Sequence, residues 1–154
     1  MHSTTANTDI KVLDLAAEDV LVCVDTFMAS YNTLPWNYSW EKEDAVKYLM
    51  EYAGAPTYRG FILREGDAVA AALLGHTKTW WTGNQFMVDE LFVSAASQGK
   101  GYGKALLAAA ERFAQAANIE RITLMTNKFM PALQFYNKND FNKVDQYVFM
   151  FKQL

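Results

Sequence analysis

Gln98-Gly99-Lys100-Gly101-Tyr102-Gly103-Lys104 is the stretch on which the reading of this chain turns. It follows an apolar strand pattern by a few residues and opens the best helical pattern in the sequence. Glycine carries no Cβ, so consecutive amides can turn toward one anion. The N-terminus of the following helix adds free N–H groups and a positive dipole end. Lys100 and Lys104 add formal charge. In chemical terms this is a cradle for a pyrophosphate; the plainer alternative is a tight turn. Two familiar phosphate loops do not fit. A P-loop, GxxxxGK followed by Ser or Thr, would need Gly where Gln98 stands and a hydroxyl residue at Ala105. A GxGxxG dinucleotide loop would need Gly at Lys104 and a place in the first strand–helix turn of a parallel sheet.

Working outward, Gly101–Ala117 reads as a helix. Leu106, Ala110, Phe113, Ala114 and Ala117 recur at helical spacing, and Asn118 stands where a left-handed cap belongs. Upstream, Gln85–Val93 is a strand, apolar except at Asp89 and Glu90. Tyr58–Arg64 and Ala68–Thr79 are strands joined by Glu65-Gly66-Asp67, a hairpin turn. A weak strand at Ile10–Leu15 precedes a helical stripe across Asp14–Ser30. Ser39 is the expected N-cap of a second helix, Glu41–Ala53. Between them lies an aromatic loop, Tyr31–Trp40. Downstream come a short strand at Arg121–Thr126, a short helix at Pro131–Lys138 and a closing strand at Lys143–Lys152. This order predicts an α/β (α+β) domain, a mixed sheet with helices on both faces.

The chain has 154 residues, which predicts one domain over 1–154, with 1–9 as a flexible N-terminal tail. Hydrophobic residues are 51% and charged residues 20%, the balance of a folded chain rather than a disordered one. Lys and Arg number 14 against 17 Asp and Glu, with no basic block, which argues against nucleic acid as a partner. The single cysteine, Cys23, allows no intrachain disulfide and has the apolar neighbours of a core residue. With two distant histidines, His2 and His76, no metal site is expected. The polar start lacks an apolar signal core and no apolar run is long enough to span a bilayer, so a cytoplasmic protein without a membrane partner is expected.

Gln98-Gly99-Lys100-Gly101-Tyr102-Gly103 resembles the Q/R-x-x-G-x-G/A acetyl-coenzyme A loop of the GNAT superfamily of N-acetyltransferases. Asp89-Glu90-Leu91-Phe92-Val93 resembles the family's fourth strand. Ala132–Phe141 is similar to its AxxFYxKxGF signature, with Asp140 in place of the usual Gly. Pro35–Trp40, Trp80–Gly83 and Asp89-Glu90-Leu91 resemble bacterial members grouped loosely with aminoglycoside 6′-N-acetyltransferases. Phe129 stands where the family often has Asn; the nearest Asn is Asn127.

The resemblance implies a GNAT-like fold with splayed fourth and fifth strands, and direct acetyl transfer from acetyl-coenzyme A (acetyl-CoA) to a primary amine. The acceptor is expected to be a small molecule such as an aminosugar or polyamine. Protein N-terminal or lysine acetylation is the alternative, and an acyl-CoA-binding sensor with little turnover is a reading of another class. GNAT domains often pair, so the resemblance is compatible with a homodimer, while the sequence itself leaves the oligomeric state open. Gln98, Gly99, Lys100, Gly101, Tyr102, Gly103 and Lys104 are assigned to the pyrophosphate. The backbones of Leu91, Phe92 and Val93 are assigned to the pantetheine arm, with Asn127 and Tyr136 also on the cofactor side. Tyr136 matches the family tyrosine that donates a proton to the leaving thiolate. An alkylamine with a pKa of about 10 must lose a proton before it attacks. Glu90 is the first candidate base and Asp89 the second; an ion pair with a nearby cation is the structural alternative for both. Trp36, Tyr38 and Glu90 are the candidate substrate contacts. Trp40, Trp80 and Trp81 are equally consistent with packing, and His76 with a plain strand position.

Overall fold

The computed structural model describes residues 10–154; the tail expected over 1–9 lies outside the described residues. Five strands form one sheet in sequence order: β1 (Val12–Asp14), β2 (Tyr58–Glu65), β3 (Ala68–Lys78), β4 (Gln85–Val93) and β5 (Arg121–Leu124). The first four run antiparallel to their neighbours, and β5 joins β4 in parallel. The Gly66-Asp67 hairpin turn forms as expected, with Gly66 at φ 58°, a conformation that glycine takes without strain.

Alternation along the strands divides the core between two faces. Ile62, Ala72, Leu74 and Phe92 meet a 3-10 helix (Ala17–Cys23), α1 (Val24–Tyr31) and α2 (Lys42–Ala53). Phe61, Leu63, Ala71, Leu73, Phe86 and Val88 meet α3 (Tyr102–Ala116) and Tyr136 of α4 (Ala132–Lys138). The unbroken buried run Ala70–Gly75 in β3 is what coverage on both faces requires. Cys23 is fully buried in the first core, which pushes its thiol pKa up to about 12, so it is a packing residue.

Two features set the course of β4. Its ladder with β5 covers only Gln85–Val88, so the two strands part beyond that point. At the same place the β3–β4 register shifts, with Leu74 opposite Glu90 and Gly75 opposite Val88. Asp89 is therefore the extra residue of a bulge, and a bulge bends its strand. The outcome is a free edge along Leu91–Val93.

Three expectations need correction. The stripe across Asp14–Ser30 is not one α-helix; its first half is 3-10. Ser39 does not cap α2, whose cap residue is Glu41 without a side-chain bond. The cause is Asn32, whose side chain accepts from the Trp40 amide at 2.8 Å and donates to the Trp40 carbonyl at 2.9 Å, holding that segment extended. The closing strand over Lys143–Lys152 does not form: among the described residues this segment has no strand partner, and its apolar side chains are exposed.

Candidate active site

The parting of β4 from β5 opens a cleft of about 450 Å³. Its floor is the free edge of β4. The Val93 carbonyl accepts from Ser30 Oγ at 3.3 Å and from Gln98 Nε2 at 3.4 Å, while the next amide, Ser94, bonds across to Ala70 of β3. The backbone groups of Val93 thus face the cleft. Successive residues alternate, so those of Leu91 do too, whereas Phe92 turns its backbone toward β3. Of the three residues assigned to the pantetheine arm, Leu91 and Val93 offer backbone donors; Phe92 packs its ring against Phe27.

One end of the cleft is the glycine loop. Gly99 and Gly101 adopt φ 79° and 84°, left-handed geometry that L side chains rarely take, and a Cβ on either would meet open space. Gly101 is the N-cap of α3 and no side chain caps the helix, so its first amides are left to an outside acceptor. These features fit a bound pyrophosphate. Gln98, Gly99, Gly101, Tyr102, Gly103 and Lys104 all line the cleft. Lys100 does not: its ammonium pairs with Glu65 at 3.1 Å. Gly103 packs closely against α4: a Cβ there would lie 3.0 Å from the Phe135 ring, which would have to shift.

Tyr136 lines the cleft from α4, together with Pro131, Ala132 and Phe135. It is held between the rings of Phe135 and Phe141. Burial, with the nearby Glu90 charge adding to it, pushes its phenol above the ordinary range, so it stays protonated and able to donate.

Glu90 is not on the cleft wall. It lies half-buried under α1 and α2, where Oε2 accepts from the Tyr31 hydroxyl at 2.7 Å and Oε1 from the Tyr48 hydroxyl at 2.5 Å. Burial raises its carboxyl pKa; the two phenol bonds act in the opposite direction and are outweighed. Tyr31 lines the cleft, so it joins Glu90 to it. Asp89 turns to β3, where its Oδ2 lies 2.6 Å from His76 Nδ1. Burial raises the Asp89 carboxyl as well, against the opposing bond from His76.

Trp36 closes the cleft opposite α3, edge-on to Tyr31 at 5.4 Å between ring centroids. Tyr38 faces a different, open groove beside Trp40, Asp44 and Tyr48. Asn127 spends its Oδ1 on the Phe129 amide at 2.9 Å, and the Phe129 side chain is exposed. Trp80 and Trp81 are exposed and line neither cavity. Sequence reading passed over Tyr31, Tyr48 and Ser30. The spacing of Val24, Phe27 and Tyr31 places Tyr31 on the buried helical stripe, and that was the available signal.

A family model described as acetyltransferase (GNAT) family matches residues 25–141. The chain belongs to the GNAT acetyltransferase family. The GNAT fold recurs in solved structures that cover nearly all of this chain. An integron cassette protein from the mobile metagenome of V. cholerae superposes with TM-score 0.79 at 17% identity, covering 95% of this chain and 93% of its own. An aminoglycoside acetyltransferase, meta-AAC0020, from an uncultured soil metagenomic sample gives TM-score 0.76 at 19% identity, covering 96% and 98%. A ribosomal-protein-alanine N-acetyltransferase from Brucella melitensis gives TM-score 0.74 at 12% identity, covering 94% and 99%. At these identities the likeness is one of fold. No curated protein sequence matches the chain. No helix among the described residues is long and apolar enough to cross a membrane.

Proposed function

We propose that this GNAT protein transfers an acetyl group from acetyl-CoA directly to a primary amine on a small molecule of the aminosugar or polyamine class. The observation that carries the reading is the meeting, in one cleft, of three parts: the uncapped N-terminus of α3 behind Gly99 and Gly101, the free backbone edge of Leu91 and Val93, and the Tyr136 phenol. Acetyl-CoA, when bound, supplies the acetyl group as a thioester. The amides of Gly99, Gly101, Tyr102, Gly103 and Lys104 would hold its pyrophosphate, with the Lys104 ammonium adding charge. The outward N–H groups of Leu91 and Val93 would pair with the pantetheine arm and polarise the thioester carbonyl, the part played by fixed amide donors at a developing oxyanion.

Two proton transfers fall to side chains. A protonated alkylamine costs about 4 kcal/mol to deprotonate at pH 7. Glu90 serves as the base through Tyr31: the amine gives its proton to the Tyr31 oxygen as the Tyr31 hydroxyl proton passes to Glu90. The half-buried carboxyl, its pKa raised by desolvation, is a better proton acceptor than a fully exposed one. Tyr136 donates to the leaving thiolate. Asp89 is committed to His76 and belongs to the strand bulge. Trp36 contacts the acceptor, and its ring face suits a cation.

The test is release of free thiol from acetyl-CoA with a panel of aminoglycosides, polyamines and N-terminal peptides. Turnover with the first two classes is expected, with Tyr136→Phe lowering kcat by about 100–10,000-fold in a folded protein. Turnover confined to peptides would favour the protein-acetylating alternative. Full activity in Tyr136→Phe would remove Tyr136 from the chemistry.

A further inference from the structure

β2 ends in a carboxylate that has no place in the core. Along this strand Phe61 and Leu63 pack beneath α3, and alternation puts Glu65 on the same face, one step further on. β2 and β4 run in the same direction, since each is antiparallel to β3. Glu65 therefore emerges at the end of the sheet where α3 begins. Its side chain is 38% exposed, so water would serve it well, and an ion pair at that exposure adds little to stability. What Glu65 does there is read from its geometry.

The carboxylate is aimed at the glycine loop. Its Oε1 accepts from Ser97 Oγ at 2.9 Å and from Lys100 Nζ at 3.1 Å, residues 32 and 35 positions away in the chain. The Tyr102 hydroxyl lies beside the same carboxylate. Tyr102, then Lys100 and Ser97, hold the Glu65 pKa below the usual carboxylate value, and Glu65 in turn raises the Tyr102 phenol. These three partners bracket the two left-handed glycines. Ser97, which is buried, stands before Gly99; Lys100 stands between Gly99 and Gly101; Tyr102 opens α3. Glycine loses more conformational freedom on ordering than any other residue, so this is the segment in which an external tie matters most. The tie is made to side chains alone, and the amides of the loop are left for a ligand.

We propose that Glu65 is a positioning residue for the pyrophosphate cradle: it fixes the loop 98–103 in its binding shape before the ligand arrives, and it holds the Lys100 ammonium outside the cleft. The proposal rests on the reading of this loop as the acetyl-CoA site. A carboxylate at the rim of an anion site acts in two opposite ways. Its charge repels the pyrophosphate and occupies a lysine that would otherwise attract it. Its bonds remove disorder that binding would otherwise have to remove. The first effect acts between exposed charges and is screened over about 8 Å at physiological salt. The second is not screened, because the Ser97 and Tyr102 hydroxyls carry no charge. Ordering is therefore the larger effect, and Glu65 favours binding of an anion despite its own sign.

The test uses the full-length protein and two variants. Glu65→Gln keeps an acceptor oxygen for the loop and removes the charge; Glu65→Ala removes both. Hydrogen–deuterium exchange without ligand reads the amides of residues 98–103, and calorimetric titration with acetyl-CoA at about 0.15 M salt reads affinity. In Glu65→Ala these amides should exchange faster, and the dissociation constant should rise about 10-fold, the size set by the backbone freedom of roughly one residue. Glu65→Gln should stay within about 3-fold of the wild type in both readings, since a neutral acceptor keeps the geometry of the bonds. If Glu65→Ala misfolds, Glu65→Thr, a strand former too short to reach the loop, takes its place. Equal or tighter binding by Glu65→Ala would show that charge outweighs ordering, and would overturn the proposal. Unchanged exchange would overturn it whether or not acetyl-CoA binds. No binding by the wild type, with the loop loosened in Glu65→Ala, would overturn the assignment of the loop to acetyl-CoA and the proposal with it.

Discussion

Tyr48→Phe removes one oxygen and leaves the half-buried Glu90 carboxylate with one donor instead of two. Glu90 is held by Tyr31 at 2.7 Å and Tyr48 at 2.5 Å, and the phenyl ring of the variant keeps the contacts of Tyr48 with Phe27, Trp40 and Tyr52. What is lost is chiefly the bond to the charged group, about 1.5–3 kcal/mol, together with the longer hydroxyl bond to Tyr52 at 3.3 Å. At about 2–4 °C per kcal/mol for a chain of this size, the melting temperature should fall by about 3–12 °C. The pH dependence separates this cause from lost packing. Burial already raises the folded-state pKa of Glu90 above its unfolded value, and losing a donor to the charged form raises it further. The penalty is thus fully present above the variant's folded-state pKa and shrinks as pH falls through it and the carboxyl becomes neutral. Urea denaturation of both proteins at about pH 8 and about pH 4.5 measures this. A loss under about 0.5 kcal/mol, or the same loss at both pH values, would refute the argument that Glu90 is held as a carboxylate by these phenols.

Gly75→Ala should destabilise by about 1–3 kcal/mol or more, because the added Cβ would stand 2.5 Å from Phe86 Cζ and 2.6 Å from the Met87 carbonyl oxygen in a buried strand. Unchanged urea stability would show that the bulge beside it can open. His76→Ala leaves Asp89, 9% exposed in its side chain, without its bond to the ring. Burial holds the Asp89 pKa up and the His76 bond opposes it, so the variant's pKa rises further. A loss of about 1–3 kcal/mol at pH 7 should fade as pH drops below that pKa, and a loss constant with pH would contradict it.

Local chemistry carried most of what the sequence revealed. The glycines before α3, the hairpin at Gly66-Asp67 and the left-handed Asn118 each depend on a few neighbouring residues, and each forms as read. Apolar runs bounded by turn residues marked β2 to β4 for the same reason. What escaped reading depends on distance along the chain. The Tyr31 and Tyr48 bonds to Glu90 span 59 and 42 residues, so two adjacent carboxylates looked like joint candidates until the bulge sent Asp89 to His76 and Glu90 to the helices. The misassigned helix cap has the same origin, an Asn32 side chain eight residues from Trp40. The segment 143–152 has the pattern of a strand, but pattern does not supply a partner, and the chain alone does not pair it.

Calorimetric titration of acetyl-CoA into the wild-type protein and into Gly101→Glu tests the central claim, that the loop before α3 holds this ligand. The Gly101 Cβ direction is open, so the new side chain meets no steric block, and its effect on binding comes from negative charge placed in the cradle and from left-handed strain. Saturable binding at one site per chain, weakened at least ~100-fold in a still-folded variant, is the predicted result. No binding by the wild type, or equal binding by both, would contradict the account.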